Sequence, residues 1–480
     1  MAHMTKTIVW FRNDLRLADQ PALSAACDLG DEVYPVFILD ERLVTGPSAS
    51  ANRNRCLRQC LIELHTALAA CGSGLIIRSG RPAAVLPELM HQTGAQIVLA
   101  STDFTPFARR RDEAVATAVR STGGGIRWLP GRLIVDQPEL LMSGSGRPYQ
   151  VFTPFYKSWL NQPRRPVLSI PSLPRLPAAW QTAAVASMSK LKALHPATGS
   201  SAPAKQAAGG RQAAAARLRQ FLEQRIGRYH ELHDDLAADA TSRLSADLHF
   251  GVLSAREIEA AVLEAGANPH KTDGAVAFRR QLAWRDFYHY VLGHFPDNAQ
   301  LEFQERYRRL AWETDDGLAE AWREGRTGYP IVDAAMRQLL TEAYMHNRAR
   351  LIVGSFLTKD LGLDWRIGEA HFMRHLIDGD TANNNGNWQW IASVGVDPAP
   401  MFRRLYNPMT QQERYDPTGA YVRRYVPELA RVPLAYLARP WEMPLEVQQA
   451  AGCVIGRDYP APVVDHALAR QAAIERYRVS

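Results

Sequence analysis

Thr7-Ile-Val-Trp-Phe-Arg-Asn-Asp-Leu-Arg16 decides the fold of the first part of the chain. Its β-rich run at 7–11 returns in kind at 32–38, 75–78, 96–100 and 126–128. Between these runs lie helical stretches such as 52–70, where Leu57, Cys60, Leu61, Leu64 and Leu68 recur at helical spacing. Alternating strands and helices predict an α/β domain over residues 5–135, a doubly wound five-stranded parallel sheet of Rossmann-like type. Trp10-Phe-Arg-Asn-Asp-Leu-Arg16 stands where a Gly-x-Gly-x-x-Gly turn would follow the first strand, which argues against a standard dinucleotide site there.

From Pro163 onward the composition shifts to Pro, Ala, Ser and Gly, with further prolines at Pro166, Pro171, Pro174, Pro177, Pro196 and Pro203. Residues 136–210 are therefore expected to be an interdomain linker over the surface. Helical patterns at 213–224, 254–264, 275–292, 317–323, 331–342 and 347–360 predict an all-α domain over 211–475. The 480 residues, 46% hydrophobic and 22% charged, describe an ordinary globular protein of two or more domains. No apolar run reaches the roughly eighteen residues a membrane span needs, and no signal-peptide pattern precedes Ile8, so a cytoplasmic protein is expected. The five cysteines lack zinc-type spacing; Cys56 and Cys60 fall one helical turn apart with nothing nearby to complete a metal site. A net charge of +7 is compatible with a nucleic-acid partner without establishing one.

Five stretches of the helical part concentrate polar and aromatic side chains. Asp378-Gly-Asp-Thr-Ala-Asn-Asn-Asn-Gly-Asn-Trp-Gln-Trp390 holds two carboxylates, four asparagines and two indoles. Carboxamides serve a heterocycle as donors or acceptors, carboxylates hold hydroxyls or an arginine, and close indoles stack on bases or pass electrons. The run suits a polar redox cofactor; the plain alternative is a polar helix start with core tryptophans. Thr241-Ser-Arg-Leu-Ser245 after Asp239 puts hydroxyls and free N–H groups at a helix start, which fits a pyrophosphate or merely a cap. In Phe278-Arg-Arg-Gln-Leu-Ala-Trp-Arg-Asp-Phe-Tyr288, three- and four-residue spacing sets Gln281, Trp284, Arg285 and Tyr288 on one face. Such a face can stack an unpaired base on Trp284 and bond its edge through Gln281. Thr327-Gly-Tyr-Pro-Ile-Val-Asp333 precedes Met345-His-Asn-Arg-Ala-Arg350, where Asn347 and Arg350 share a face and an arginine could pair with Asp378. Trp312, Trp365 and Trp388 read, from spacing alone, as core packing.

Taken in order from about residue 5 to residue 475, these blocks resemble the photolyase/cryptochrome family, and more narrowly bacterial class I cyclobutane pyrimidine dimer photolyases. The resemblance implies an N-terminal α/β domain and a helical domain holding FAD. It assigns Tyr229, Thr241, Ser242, Arg243, Leu244 and Ser245 to the FAD phosphates and ribityl chain, with Phe278 also in the cofactor set and Arg285 in the FAD or lesion region. Asn347, Arg350, Asp378 and Asp380 would surround the flavin and adenine, Arg350 paired with Asp378, and Asn384 would face flavin N5. A carboxamide there serves a reduced anionic flavin without adding negative charge, which favours the repair branch over plant cryptochromes, which usually carry Asp. Trp388, Trp365 and Trp312 match the photoreduction chain in proximal-to-distal order. Trp284 and Trp390 match the lesion-pocket walls, Asn347 and Leu351 fall beside the lesion, and Arg348 and Arg403 near the DNA backbone.

Two departures concern the lesion pocket. Class I members usually carry Glu at Gln281 and Met at Leu351; an amide cannot supply a proton as a carboxylic acid does, so less efficient repair is expected. The (6-4) photolyases share the glutamine but place histidines at Asn347 and Leu351, so their chemistry is not expected. The implied mechanism is light-driven electron transfer from reduced FAD to a flipped-out dimer in UV-damaged single- or double-stranded DNA, by a monomer needing no membrane and no metal. A cryptochrome-type photosensor is the alternative. For an antenna chromophore, Phe107-Ala108 stands where folate-binding members carry Asn-Glu, so a deazaflavin-type group is expected rather than methenyltetrahydrofolate.

Overall fold

The computed structural model describes residues 4–46, 49–193, 206–398 and 400–478. Strands β1 (Lys6–Phe11), β2 (Glu32–Leu39), β3 (Ile76–Ser79), β4 (Ile97–Ser101) and β5 (Gly125–Leu129) form one parallel sheet in the order β3-β2-β1-β4-β5. Val9 pairs with Pro35 on one side and Leu99 on the other, so the order reverses around β1, as expected for a doubly wound sheet. In β1, β-branched and aromatic side chains alternate between two cores. Ile8 and Trp10 join Tyr34, Val36 and Val98 on one face; Val9 and Phe11 join Leu23, Phe37 and Leu61 on the other.

The second of these cores does not stop at the domain edge. It continues through Phe155 and Trp159 into Phe278, Leu282, Phe287 and Tyr290 of the helical part. The helices that matter for the site are α1 (Ala51–Ala70) beside the sheet, α2 (Phe152–Leu160), α3 (Ser245–Phe250), α4 (Thr272–His294), α5 (Asn347–Ser355), α6 (Trp365–His375) and α7 (Thr381–Ala392). A separate apolar core, with Trp322, Met336, Val353, Trp365 and Trp388, lies under α5, α6 and α7. No helix among the described residues is long and apolar enough to cross a membrane.

The expected linker differs from what the structure shows. Helix α2 and the helix Ala178–Ala193 both fall within residues 136–210, and Phe155 and Trp159 are fully buried. Trp159 Nε1 donates to Asp286 of α4 at 3.0 Å. Phe152, Phe155 and Trp159 recur at helical spacing, a signal hidden by the prolines that follow. Residues 194–205, with Pro196 and Pro203, lie outside the described residues.

Candidate functional site

Asp378 precedes the start of α7, and its carboxylate, almost fully buried, takes Arg350 Nη2 of α5 at 2.7 Å on Oδ2. Its Oδ1 has no hydrogen-bond partner among the described residues. A buried carboxylate oxygen left unpaired is costly, so it is a place for a ligand donor. Around the pair opens a cleft with about 70 Å³ of free volume, walled by Asn347, Leu351, Asn383, Asn384, Asn387 and Trp388.

The asparagine run splits by helical geometry. Asn383, Asn384 and Asn387 turn to the cleft. Asn385 accepts from Asn298 Nδ2 at 3.2 Å, and Gln389 Nε2 donates to the Asn298 and Leu301 carbonyls at 2.7 and 3.0 Å, tying α7 to the turn after α4. Asn384 Nδ2 is anchored on the Glu369 carbonyl at 3.0 Å, and its Oδ1 takes no hydrogen bond from the described residues. Burial pushes the Glu369 carboxyl up to about 7. The two helices α4 and α7 cross closely because Gly386 has no side chain: a Cβ there would lie 2.1 Å from the Tyr288 ring.

A second, narrow cleft with about 20 Å³ of free volume is walled by Arg217, Arg243, Ser245, Asp247, Glu342 and Tyr344. Tyr344 stands between the two clefts, with the Arg243 and Arg350 guanidinium groups 4.9 and 5.6 Å from its ring centroid. Thr241 lies beside Tyr344. Arg243, held at φ 52°, pairs with Asp239 and Glu342 at 2.8 and 2.9 Å. Ser242 Oγ accepts from the Leu244 N–H at 3.4 Å, Leu244 is buried, and Ser245 opens α3. The segment thus presents a polar turn at a helix start beside an arginine.

Trp388 lies flat on α6 where Gly368 leaves room, since a Cβ at Gly368 would sit 2.1 Å from its ring. Trp365 stands one turn earlier on α6, fully buried, its Nε1 on Glu302 at 3.2 Å. Trp312 is partly buried against the same core, so the three indoles share one apolar body. Sequence reading missed Trp322, fully buried and edge-on to Trp388 at 6.1 Å. Its spacing carried no signal that set it apart from core.

Several expected positions lie elsewhere. Asp380 does not face the cleft: it caps α7 by accepting from Asn383 N at 2.9 Å and pairs with Arg132 of the α/β domain, also at 2.9 Å. Burial opposes its charge, but His289 and Arg132 outweigh that and hold the carboxyl well below the usual carboxylate range. Arg285 donates to the Arg132 carbonyl at 3.0 Å, turned towards the α/β domain. Tyr229 and Phe278 pack edge-on against each other at 5.4 Å, in an aromatic cluster with Phe221. Arg348 is held by Asp234 at 2.5 Å and lies over Tyr415.

On the presumed lesion side, Gln281 is exposed, while one face of Trp284 is covered by Phe152, with centroids 3.7 Å apart and planes at 6°. A base cannot stack on that face. Arg403 is exposed, whereas its neighbour Arg404 is buried, bonded to Asp397 at 2.6 Å and stacked over Trp390 at 4.2 Å. Adjacent arginines give no sequence signal for which one turns inward.

The donor set fits a flavin: a carboxylate oxygen unpaired among the described residues, four carboxamides, an arginine and an indole whose Nε1 likewise lacks a partner there. A doubly wound sheet packed on a helical domain with such a cleft defines a two-domain flavoprotein. The family model for the FAD binding domain of DNA photolyase matches residues 278–479, and that for DNA photolyase matches residues 7–177. A deoxyribodipyrimidine photo-lyase of Streptomyces griseus is 38% identical over 476 residues, covering 99% of each chain. The solved structure of a bacterial class III photolyase from Agrobacterium tumefaciens superposes with TM-score 0.92 at 35% identity, covering 100% of this chain and 98% of that one. An archaeal photolyase from Sulfolobus tokodaii, solved with two FAD molecules, matches with TM-score 0.84 at 29% identity over 99% and 100% of the two chains. The chain belongs to the DNA photolyase family.

Proposed function

We infer that this chain repairs cyclobutane pyrimidine dimers in DNA under light, with FAD held in the cleft around Asp378. The observation that carries the reading is the Arg350–Asp378 pair with one carboxylate oxygen left unpaired, faced by Asn383, Asn384 and Asn387. When bound and reduced, FAD supplies an electron on excitation by blue light, the chemistry that opens a cyclobutane ring. The chain's own residues do the rest. Arg350 and Asp378 would orient the heterocycle, Asn384 would offer it a neutral carboxamide, and Tyr344, packed against both Arg243 and Arg350, would border the cofactor. Trp388, Trp365 and Trp312 carry electrons inward when the flavin must be reduced; their common apolar core supports this role.

The lesion side consists of Gln281, Trp284, Leu351 and Trp390, to which we add Arg404. The part of Trp284 left open by Phe152 and Tyr288 and the edge of Trp390 are what an extruded dimer would meet. The basic balance of the chain supports sequence-independent contacts to phosphates. Within the family, the match to a class III photolyase supports a place beside that branch, and the class I assignment expected from the motifs is not retained. For an antenna chromophore a deazaflavin-type group remains our proposal: Phe107 is covered by the Arg42 guanidinium at 4.8 Å and Ala108 is buried, so no carboxamide and carboxylate pair waits there for a folate.

The deciding experiment illuminates the reduced protein with DNA carrying a cyclobutane thymine dimer and follows the return of thymine absorbance. Light-dependent recovery is expected. Bound, photoreducible flavin without recovery would instead make the chain a photosensor.

A further inference from the structure

Arg132, which follows β5 in the α/β domain, bridges two carboxylates, one from each domain. Its Nη1 donates to Asp103 Oδ2 at 2.7 Å and its Nη2 to Asp380 Oδ2 at 2.9 Å, and its side chain is 7% exposed. Asp103 stands just beyond β4, where Arg132, Arg111 and Arg12 outweigh the cost of burial and hold its carboxyl below the usual range. Asp380 takes the first turn of α7 in hand through Asn383 N and Asn383 Nδ2, at 2.9 and 2.8 Å. On the other side of Asp380 the fully buried His289 of α4 brings Nε2 to 3.3 Å from Oδ1, and its Nδ1 has no partner. His249, partly buried and with no partner on Nδ1 among the described residues, is a further neighbour of Asp380.

Asp103, Arg132 and Asp380 are thus linked in a buried ion network, with Arg12 and Arg111 beyond Asp103, behind the helix start whose next residues, Asn383, Asn384 and Asn387, wall the cleft. Buried ions are expensive and are retained only in good geometry, and water does not screen them there. A salt bridge of this kind has two effects on a ring bound by α7. It fixes where the helix begins, and its charges add to the field that an electron placed on the ring experiences.

We propose that Arg132 is a positioning residue for the flavin, through which the α/β domain fixes the start of α7 and sets the electrostatic field at the ring the cleft holds. The proposal rests on the reading of the cleft as the FAD site. Removing the arginine leaves Asp380 unbalanced, which disfavours an added electron; neutralising Asp380 favours it. The two variants therefore shift the flavin potential in opposite directions, which a merely structural contact does not do.

The test compares wild-type protein, Arg132→Lys, Arg132→Gln and Asp380→Asn by FAD retained through gel filtration and by flavin midpoint potential. Arg132→Gln is expected to lose FAD several-fold more readily and to shift the potential negative. Asp380→Asn, which keeps a capping side chain, is expected to shift it positive, and Arg132→Lys to restore most of the retention. Shifts of the same sign, or none, overturn the proposal. Should Arg132→Gln fail to fold, Asp103→Asn leaves Arg132 to Asp380 alone and is expected to shift the potential positive; a wild-type value there overturns it equally. Wild-type protein that binds no flavin would sink the reading of the cleft itself, and this proposal with it.

Discussion

Arg404 covers Trp390: its guanidinium carbon stands 4.2 Å from the ring centroid while Nη2 holds Asp397 at 2.6 Å. The indole Nε1 also reaches Asp397, at 3.2 Å, so cation, ring and carboxylate form one closed unit. Replacing Arg404 by Met is expected to remove a buried guanidinium and its charge-assisted bond to the partly exposed Asp397, costing about 1–3 kcal/mol of stability, and to weaken binding of dimer-containing DNA more than of intact DNA. Arg403→Ala should leave the melting temperature unchanged and lower the slope of log affinity against log salt by about one. Melting curves and salt titrations of both variants check the contrast; equal behaviour would mean that the two arginines do the same work.

Gly368 makes room for Trp388. A methyl group there meets the ring, so Gly368→Ala should displace the indole, with an overpacking cost of roughly 1–3 kcal/mol. Photoreduction of oxidised flavin should slow as it does in Trp388→Phe, while repair by flavin already reduced is spared. Transient absorption on both variants tests this, and an unchanged photoreduction rate in Trp388→Phe would remove Trp388 from the electron path.

Glu369 gives a pH signature. Its folded-state carboxyl titrates at about 7 against an ordinary value of 4.5, because burial disfavours the charge. Raised in the fold, it binds more protons than in the unfolded chain between those values, so its contribution to stability is full below about 4.5 and is lost as pH rises to about 7. Glu369→Gln should flatten the stability curve in that window by roughly 2–3 kcal/mol. Urea denaturation across the window measures it, and parallel curves for wild type and variant would reject the assignment.

Gln281 is exposed on α4 beside Trp284. Gln281→Glu introduces a group that can hold a proton near the lesion, and a higher quantum yield of dimer splitting is expected, with little change in stability because the position is solvent-facing. A yield equal to or below the parent's would count against that account.

The sheet was legible because each strand is a short run rich in β-branched and aromatic residues between helical stretches; the five runs fall within a residue or two of the observed strands. The Arg350–Asp378 pair was legible through the family resemblance. Other features depend on tertiary crossing and left no local mark. Which of Asn383, Asn384, Asn385 and Asn387 turns inward depends on how α4 meets α7, and that depends on Gly386 accepting Tyr288. Asp380 is expected beside the flavin through the same family resemblance, but an aspartate at the capping position bonds its own helix. Prolines after Trp159 suggested a loose linker and concealed the helix before them.

The stack of Phe152 on Trp284 means that the stretch between the two domains is itself part of the wall around the site. The halves of this chain are therefore not interchangeable parts. A helical portion made without residues 136–193 would show a bare indole and an apolar flank to water and would tend to aggregate. Any foreign N-terminal half grafted onto it would have to bring its own aromatic plate to lay over Trp284.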